Sequence, residues 1–327
     1  MSDQTSNNAP DLDAANLEAA NLEADSAASA DAAANKKSVL QLMLSNTSVM
    51  IGGGMLALMV LVALLAPVLG TIDPADIDPS WRNKRPGTVH MEKTLDSGEM
   101  VDWTYRMGTD TLGRDTYSRV IYGSQISLAV GLIVAVISIA IGLVVGLISG
   151  YVRWLDGIVM RLMDGLMAIP GILLAIALMS LFNAGLGTVI MAITIPEIPR
   201  VVRLVRSIVL SIREEPYVEA AISVGTSLPN ILVRHVLPNT IAPLIVQGTF
   251  ICASAILVEA ILSFLGVGIP PETPTWGNIM AEGRALFRVY PHNILYPGIF
   301  LAVTVLAVNI LGDGLRDTLD PRMRKRI

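Results

Sequence analysis

The chain has 327 residues, 53% of them hydrophobic, with a mean hydropathy of +0.60 and only 16% charged. Soluble domains hold charge nearer about a quarter, so an ordinary soluble protein is excluded, while the net charge of −5 says little about partners because an acidic N-terminal stretch supplies much of it. A single cysteine, Cys252, inside an apolar run leaves no intramolecular disulfide framework and no thiolate metal cluster, and reads as a small packing residue. His90, His235 and His292 are too far apart in sequence to show a ligand spacing.

Residues 1–37 are rich in Ala, Asn, Asp and Ser, and Ala-Ala-Asn-Leu-Glu occurs twice in succession from Ala14. Few large apolar groups are present to offset the entropy of ordering, which predicts a disordered acidic cytoplasmic tail. It lacks the basic start and adjoining apolar core of a signal peptide. Residues 38–70 form the first transmembrane region, with its span over 49–69. The triplet Gly52-Gly53-Gly54 fits either close helix packing or a lipid-facing surface, and Pro67 and Gly70 end the span.

Residues 71–119, with Pro74, Pro79 and Pro86, are polar and predict a long extracytoplasmic loop holding a small subdomain. The transmembrane core is predicted over 120–315. Its second span covers 127–150. The uncharged run 165–196 exceeds the roughly 20 residues that one crossing needs and breaks at Asn183-Ala184-Gly185-Leu186-Gly187. It predicts a tight hairpin of a third and a fourth span, the third beginning near Ile158. Arg161 and Asp164 then lie near the cytoplasmic interface, three apart on one helix face, where they can pair; a functional role at that depth is the alternative. The fifth span covers 239–258 and the sixth 296–312. With both termini inside, fourteen of the 23 Lys and Arg residues fall on the cytoplasmic side, as the positive-inside rule requires. Residues 316–327 form a basic cytoplasmic C-terminus.

The cytoplasmic loop at 199–238 carries the densest local signals. Glu214, Glu215 and Pro216 suit a helix start, where acidic groups meet the dipole and proline lacks only an N–H that would be unpaired anyway. Gly225 fits the left-handed position after the helix end. Thr226-Ser227 can cap a second short helix with Pro229 in its first turn. Small Ala220 and Ala221 admit close approach by another surface, and Glu219 offers a charged contact. An inert amphipathic connector is the plainer reading of the same pattern.

Glu219-Ala220-Ala221, three residues, Gly225, nine residues, then His235-Val236-Leu237-Pro238 resembles the EAA loop of ABC importer permeases. Gly108-Thr109-Asp110, Gly113-Arg114-Asp115, Ser118-Arg119, Gly123 and Ser127-Leu128 resemble the approach to the second span in dipeptide/oligopeptide/nickel permeases. So do Ser263-Phe264-Leu265-Gly266-Val267-Gly268 with Pro274-Thr275-Trp276-Gly277, and Leu311-Gly312-Asp313-Gly314-Leu315-Arg316-Asp317 with Leu319-Asp320-Pro321-Arg322. The chain is most similar to the "C" permease of peptide systems. It departs from the pattern at Gln125, where the family often has Arg.

The resemblance implies an all-α polytopic membrane protein with six transmembrane helices and the type I ABC importer permease fold. It implies a permease in the bacterial cytoplasmic (inner) membrane, forming half of a path for dipeptides or oligopeptides. The implied partners are a homologous second permease, two ABC ATPase subunits and an extracytoplasmic solute-binding protein, with no nucleic acid. Glu219, Ala220, Ala221, Gly225, Thr226, Ser227, Leu228, Pro229 and Asn230 carry over as ATPase-coupling residues, the stretch 225–230 being the coupling helix. The same machine moving nickel or another small solute is an alternative. An ATP-independent secondary transporter or channel is the rival class; many of these carry inverted repeats, and none is evident. No catalytic, cofactor-binding or metal residue is predicted. A phosphate loop needs Gly-Lys before Ser or Thr, and Lys36, Lys37, Lys84, Lys93 and Lys325 never follow a glycine. For the solute path, Glu259 and Asn309 are the candidates, Glu259 as an attractor for a peptide N-terminus or as a gate or loop-anchoring contact.

Overall fold

The computed structural model describes residues 39–94, 98 and 100–319. The tail at 1–37 and the basic Arg322, Arg324, Lys325 and Arg326 lie outside the described residues. Helices α1 (Val39–Ser45) and α2 (Thr47–Leu64) meet at Asn46. Its Oδ1 caps α2 by accepting from the Ser48 and Val49 amides at 2.9 and 3.3 Å. Its Nδ2 donates to the Gly314 carbonyl at 3.3 Å, tying this corner to α11 (His292–Leu319). The glycine triplet divides between its two readings. A Cβ on Gly52 would stand 2.4 Å from the Leu311 backbone nitrogen, whereas one on Gly54 would meet nothing within 4 Å. Gly52 is therefore a helix-packing glycine and Gly54 is not.

Helix α3 (Thr116–Tyr151) starts well before the predicted 127 because Asp115 caps it, accepting from the Tyr117 and Ser118 amides. At about 1.5 Å per residue its length is about 54 Å, more than the roughly 30 Å of hydrocarbon requires, so its first turns extend into the loop that precedes it. Gln125, where the family often has Arg, donates from Nε2 to the Ala63 carbonyl at 2.7 Å, a neutral tie from α3 to the last turn of α2.

Two sequence expectations are corrected in the next segment. The third span is not one straight helix: α4 (Arg153–Ala168) and α5 (Gly171–Leu181) meet at 90°. Pro170 lacks an amide donor and forces Ile169 out of the helical region, to φ −94°, ψ 128°. Nor does Asp164 pair with Arg161. It pairs with Arg203 of α6 (Leu186–Arg213), while Asp156 pairs with Arg206. An in-helix pair three residues apart gains only about 0.2–0.5 kcal/mol, and α6 brings two guanidinium forks alongside the same face. The break between α5 and α6 falls at residues 182–185.

Beyond α6, two short helices, α7 (Pro216–Ser223) and α8 (Leu228–Ile231), lead through a π turn at Leu232–Val236 into α9 (Leu237–Phe264). A short helix, α10 (Trp276–Gly283), precedes α11. Among the described residues, four helical stretches are long and apolar enough to cross a membrane: α2, α3, residues 228–264 and α11. The α4–α5 pair makes a fifth if counted as one broken span.

The core lies where α3, α6 and α9 meet. Gly142, Gly146 and Gly150 on α3 face Val201, Val205 and Val209 on α6, so that added Cβ atoms would stand 2.4, 2.7 and 2.8 Å from the three valine Cβ atoms. Glycines four residues apart let two backbones approach closely, which is how helices pack where lipid removes the hydrophobic drive. Gly146→Leu should lower the thermal unfolding midpoint of the purified protein, an overpacking cost of about 1–3 kcal/mol or more. Gly157→Leu, where a Cβ meets nothing within 4 Å, should leave the midpoint unchanged.

In the loop between α2 and α3, β1 (Thr88–Thr94) and β2 (Met100–Tyr105) pair antiparallel, with Thr88 opposite Tyr105. The hairpin closes over Trp81, whose ring stacks on His90 at 4.0 Å between centroids. Burial lowers the His90 pKa from its ordinary value, and the Lys93 ammonium adds to the effect. Lys93 is itself buried and held by Asp76 at 2.8 Å.

Candidate functional site

Helices α7 and α8 form a bracket whose geometry follows from local sequence. Glu215 takes the extended N-cap conformation, Pro216 opens α7 and Glu219 lies in its first turn. At the other end the Gly225 amide donates to Ile222 at 2.9 Å and the Thr226 amide to Ala221 at 3.0 Å. These two bonds are those of a Schellman motif, which demands a left-handed residue at Gly225, and its φ is +83°. Ser227 then adopts the N-cap backbone conformation of α8, but its side chain makes no capping bond, contrary to the expected Thr226-Ser227 cap. With Pro229 in the first turn, one of the amides such a cap would satisfy is missing.

Three apolar residues anchor the bracket: Val218, Ile231 and Val236 are buried in the main core cluster. Tyr217 and His235 approach with ring centroids 5.9 Å apart, bracing α7 against the π turn. Everything else predicted for coupling faces outward. Glu219, Ala220, Gly225, Ser227, Leu228, Pro229 and Asn230 are exposed, and Ala221 and Thr226 half-buried. Val224 is 86% exposed, an apolar tip that the sequence reading did not single out. A rigid, outward-facing bracket with a bare apolar tip can dock on another protein. Nothing lies within 4 Å of a Cβ built on Gly225, so its need for glycine is conformational and not steric.

The two solute-path candidates are far from alike. Glu259 of α9 is fully buried. Its Oε1 accepts from the Ser263 hydroxyl at 2.8 Å, and it reaches no open surface of this chain. That position is an interior contact within this chain. Asn309 of α11 is half-buried.

Sequence reasoning missed a polar group inside the helical core. Glu197 of α6 is buried and accepts from Arg200 NH1 at 3.1 and 3.0 Å, through Oε1 and Oε2. The Ser254 hydroxyl of α9 lies 3.4 Å from the same carboxylate. A charged residue between Pro196 and Pro199 in an otherwise apolar stretch was the available signal. A cavity of about 620 Å³ opens between α6, α9 and α11, with Leu204, Gln247, Phe250 and Arg316 in its wall.

At the start of α3, the residues that resemble the family's approach to the second span form one buried ionic cluster. Arg114 Nε and Arg119 NH1 both donate to Asp110 Oδ2, at 2.7 and 2.8 Å. Arg119 also donates to Glu282 of α10 at 3.0 Å. Gly113 is enforced twice over: its φ is +85°, and a Cβ would stand 1.8 Å from the Asp78 carbonyl oxygen. Trp276 fixes α10 by donating from Nε1 to the Val120 carbonyl at 3.1 Å.

Helices of membrane-crossing length, an outward-facing bracket and a folded loop before α3 define a multi-span membrane protein with a docking surface. The model of the family described as "Binding-protein-dependent transport system inner membrane component" matches residues 138–325, and that of the "N-terminal TM domain of oligopeptide transport permease C" matches residues 37–86. The chain belongs to the binding-protein-dependent inner membrane transport family, as a multi-pass inner membrane protein. It is 54% identical over 289 residues to a probable peptide ABC transporter permease protein, y4tQ, of Sinorhizobium fredii, covering 88% of this chain and 94% of the relative. It is 37% identical to the dipeptide transport system permease protein DppC of Alkalihalophilus pseudofirmus over 81% of this chain and 83% of the relative. It is 45% identical to the glutathione transport system permease protein GsiD of Escherichia coli over 66% and 72%. Among solved structures, inward-facing MetNI methionine ABC transporter chains share the fold, one with a TM-score of 0.51 at 19% identity over 61% of this chain and 96% of that one.

Proposed function

We propose that this chain is a permease subunit of an ATP-driven importer of dipeptides or oligopeptides, forming half of the translocation path beside a homologous permease. The relatives named for peptides, dipeptides and glutathione support the solute class. The bracket carries the coupling proposal: α7 and α8 present Glu219, Ala220, Ala221 and residues 225–230 outward on buried anchors, the form needed to dock in an ATPase subunit. Closure of two ATPases would then move α6 and α9 as rigid bodies and alternate the access of the path. Solute would arrive from an extracytoplasmic binding protein.

The topology that goes with this reading has six crossings, with α6 as the fourth and the bent α4–α5 pair as the third, and both termini in the cytoplasm. In a Cys252→Ser background, Ser227→Cys should react with an impermeant thiol reagent only from the cytoplasmic side and Met91→Cys only from outside. The reverse pattern sinks the topology. For the function, vesicles carrying both permeases should take up dipeptide only with the ATPase subunits and ATP present. Uptake driven by an ion gradient without them would refute it and favour a secondary transporter.

A further inference from the structure

The exposed face of α6 is unlike that of a lipid-facing helix. Arg200, Arg203, Ser207 and Ser211 follow at intervals of three, four and four residues and are all exposed, a spacing that lays them along one stripe of the helix. Arg203 is paired with Asp164 of α4. Arg200 lies at the middle of the 28-residue helix, about 20 Å from either end at about 1.5 Å per residue. If α6 crosses the bilayer, as proposed above, the crossing runs past residue 199, where the sequence expectation began the cytoplasmic loop, and that depth is inside the hydrocarbon layer, where a charge exposed to lipid costs about 3 kcal/mol or more.

An arginine facing lipid extends its head toward the nearer interface. Arg200 does something else. Its NH1 is held back against the buried Glu197, which bridges to Ser254 of α9. NH1 alone is engaged: Nε and NH2 have no partner among the described residues, and the side chain is 55% exposed. The guanidinium is thus fixed in direction by a buried carboxylate while it turns a free pair of N–H donors outward. Such a fork matches a carboxylate with two parallel hydrogen bonds.

We infer that this edge of Arg200 faces the aqueous passage and takes the carboxylate of the passing solute, with Glu197 and Ser254 as its positioning residues. The ligand class is a carboxylate-bearing solute, of which a free peptide C-terminus is one. Pairing with Glu197 keeps the site nearly neutral, so the carboxylate is held weakly enough to leave again, as a conducting site requires. The inference rests on the importer reading and adds to it the residue that meets the solute.

The chain's only thiol is Cys252, so Arg200→Cys in a Cys252→Ser background gives one reporter. The complete importer in vesicles is assayed for ATP-driven uptake of dialanine before and after methanethiosulfonate treatment. Arg200→Cys should lower uptake at least tenfold. The cationic aminoethyl reagent should restore most of it and the anionic sulfonatoethyl reagent should not. Reaction at position 200 should also be at least tenfold faster than at Leu173→Cys, an exposed apolar position on α5. Slow reaction at 200 in an importer that still depends on ATP overturns the inference, and so does equal uptake after reagents of either sign. Should Arg200→Cys fail to assemble, Arg200→Lys should keep uptake within threefold and Arg200→Gln should lose tenfold; equal uptake by both is the overturning result. Uptake persisting without ATPase subunits is a separate outcome, which defeats the importer reading and not the placement of Arg200.

Discussion

Gly225→Val should abolish ATP-driven uptake while the protein still inserts and assembles in the membrane. The residue sits at φ +83° with open space around it, so valine meets no clash with neighbours and is opposed only by its own backbone. Placing an L side chain in that region costs roughly 1–2 kcal/mol, and a β-branched one is a genuine outlier there. Global stability is about 5–15 kcal/mol, so the fold survives. What gives way is the Schellman closure between Ile222, Ala221 and the two amides that follow. Without it α8 leaves α7 at another angle, and residues 225–230 no longer meet a docking cleft. Gly225→Asn is the informative companion, because asparagine tolerates the left-handed region; it should retain most uptake. The check is uptake into vesicles together with the amount of each variant recovered in the membrane. Equal uptake by the valine and asparagine variants would remove the coupling role from this turn.

The bracket was legible in the sequence because its signals are local. Pro216, Gly225 and Pro229 each restrict the backbone at their own positions; α7 begins and ends where Pro216 and Gly225 predict, whereas the stretch expected as a helix over 225–230 is helical only from Leu228 on, in α8 (Leu228–Ile231). The long apolar helices were legible for a similar reason, since an uncharged run declares its own length. Helix α6 is the exception. Glu197, Arg200, Arg203, Arg206 and Arg213 dilute its hydropathy; Glu197 and Arg200 pair within the helix, but Arg203 and Arg206 find partners far along the chain, Asp164 39 residues from Arg203 and Asp156 50 from Arg206. Such pairs are set by which helices lie side by side, and no window along the chain contains that information. The same limit holds at Pro170, where proline announces a break but not the 90° angle between α4 and α5. Helix α10, with only eight residues, is too short to show a period and is held by the Trp276 bond to Val120. Glu259 shows the limit for sites. Its identity and span were readable, but its direction into the interior depends on how α9 packs, with Ser263 one turn on as its hydrogen-bond partner.

Breaking the ionic cluster at the start of α3 should be the most destabilising single change in the loop between α2 and α3. Asp110 is 2% exposed, Arg114 4% and Arg119 1%. Besides the two guanidinium groups, the Asp110 carboxylate accepts from the Leu112 and Arg114 amides at 2.8 and 3.0 Å, so one side chain closes the turn and separates two like charges. Asp110→Ala leaves Arg114 and Arg119 facing each other with Glu282 as their remaining anion. Removing one member of a buried ion pair costs about 3–5 kcal/mol, because the partner charge stays buried and uncompensated. The expected result is a large fall in the unfolding midpoint and loss of the folded loop over α3 and α10. Asp110→Asn combined with Arg119→Met removes one charge of each sign, and its cost should fall short of the summed single costs by about 0.5–3 kcal/mol, as coupled neighbours do. Salt separates this cluster from surface pairs: raising ionic strength screens exposed charges, so 0.5 M NaCl should leave the Asp110 effect unchanged. Additive costs, or an effect that vanishes in salt, would mean that the cluster does not hold the start of α3.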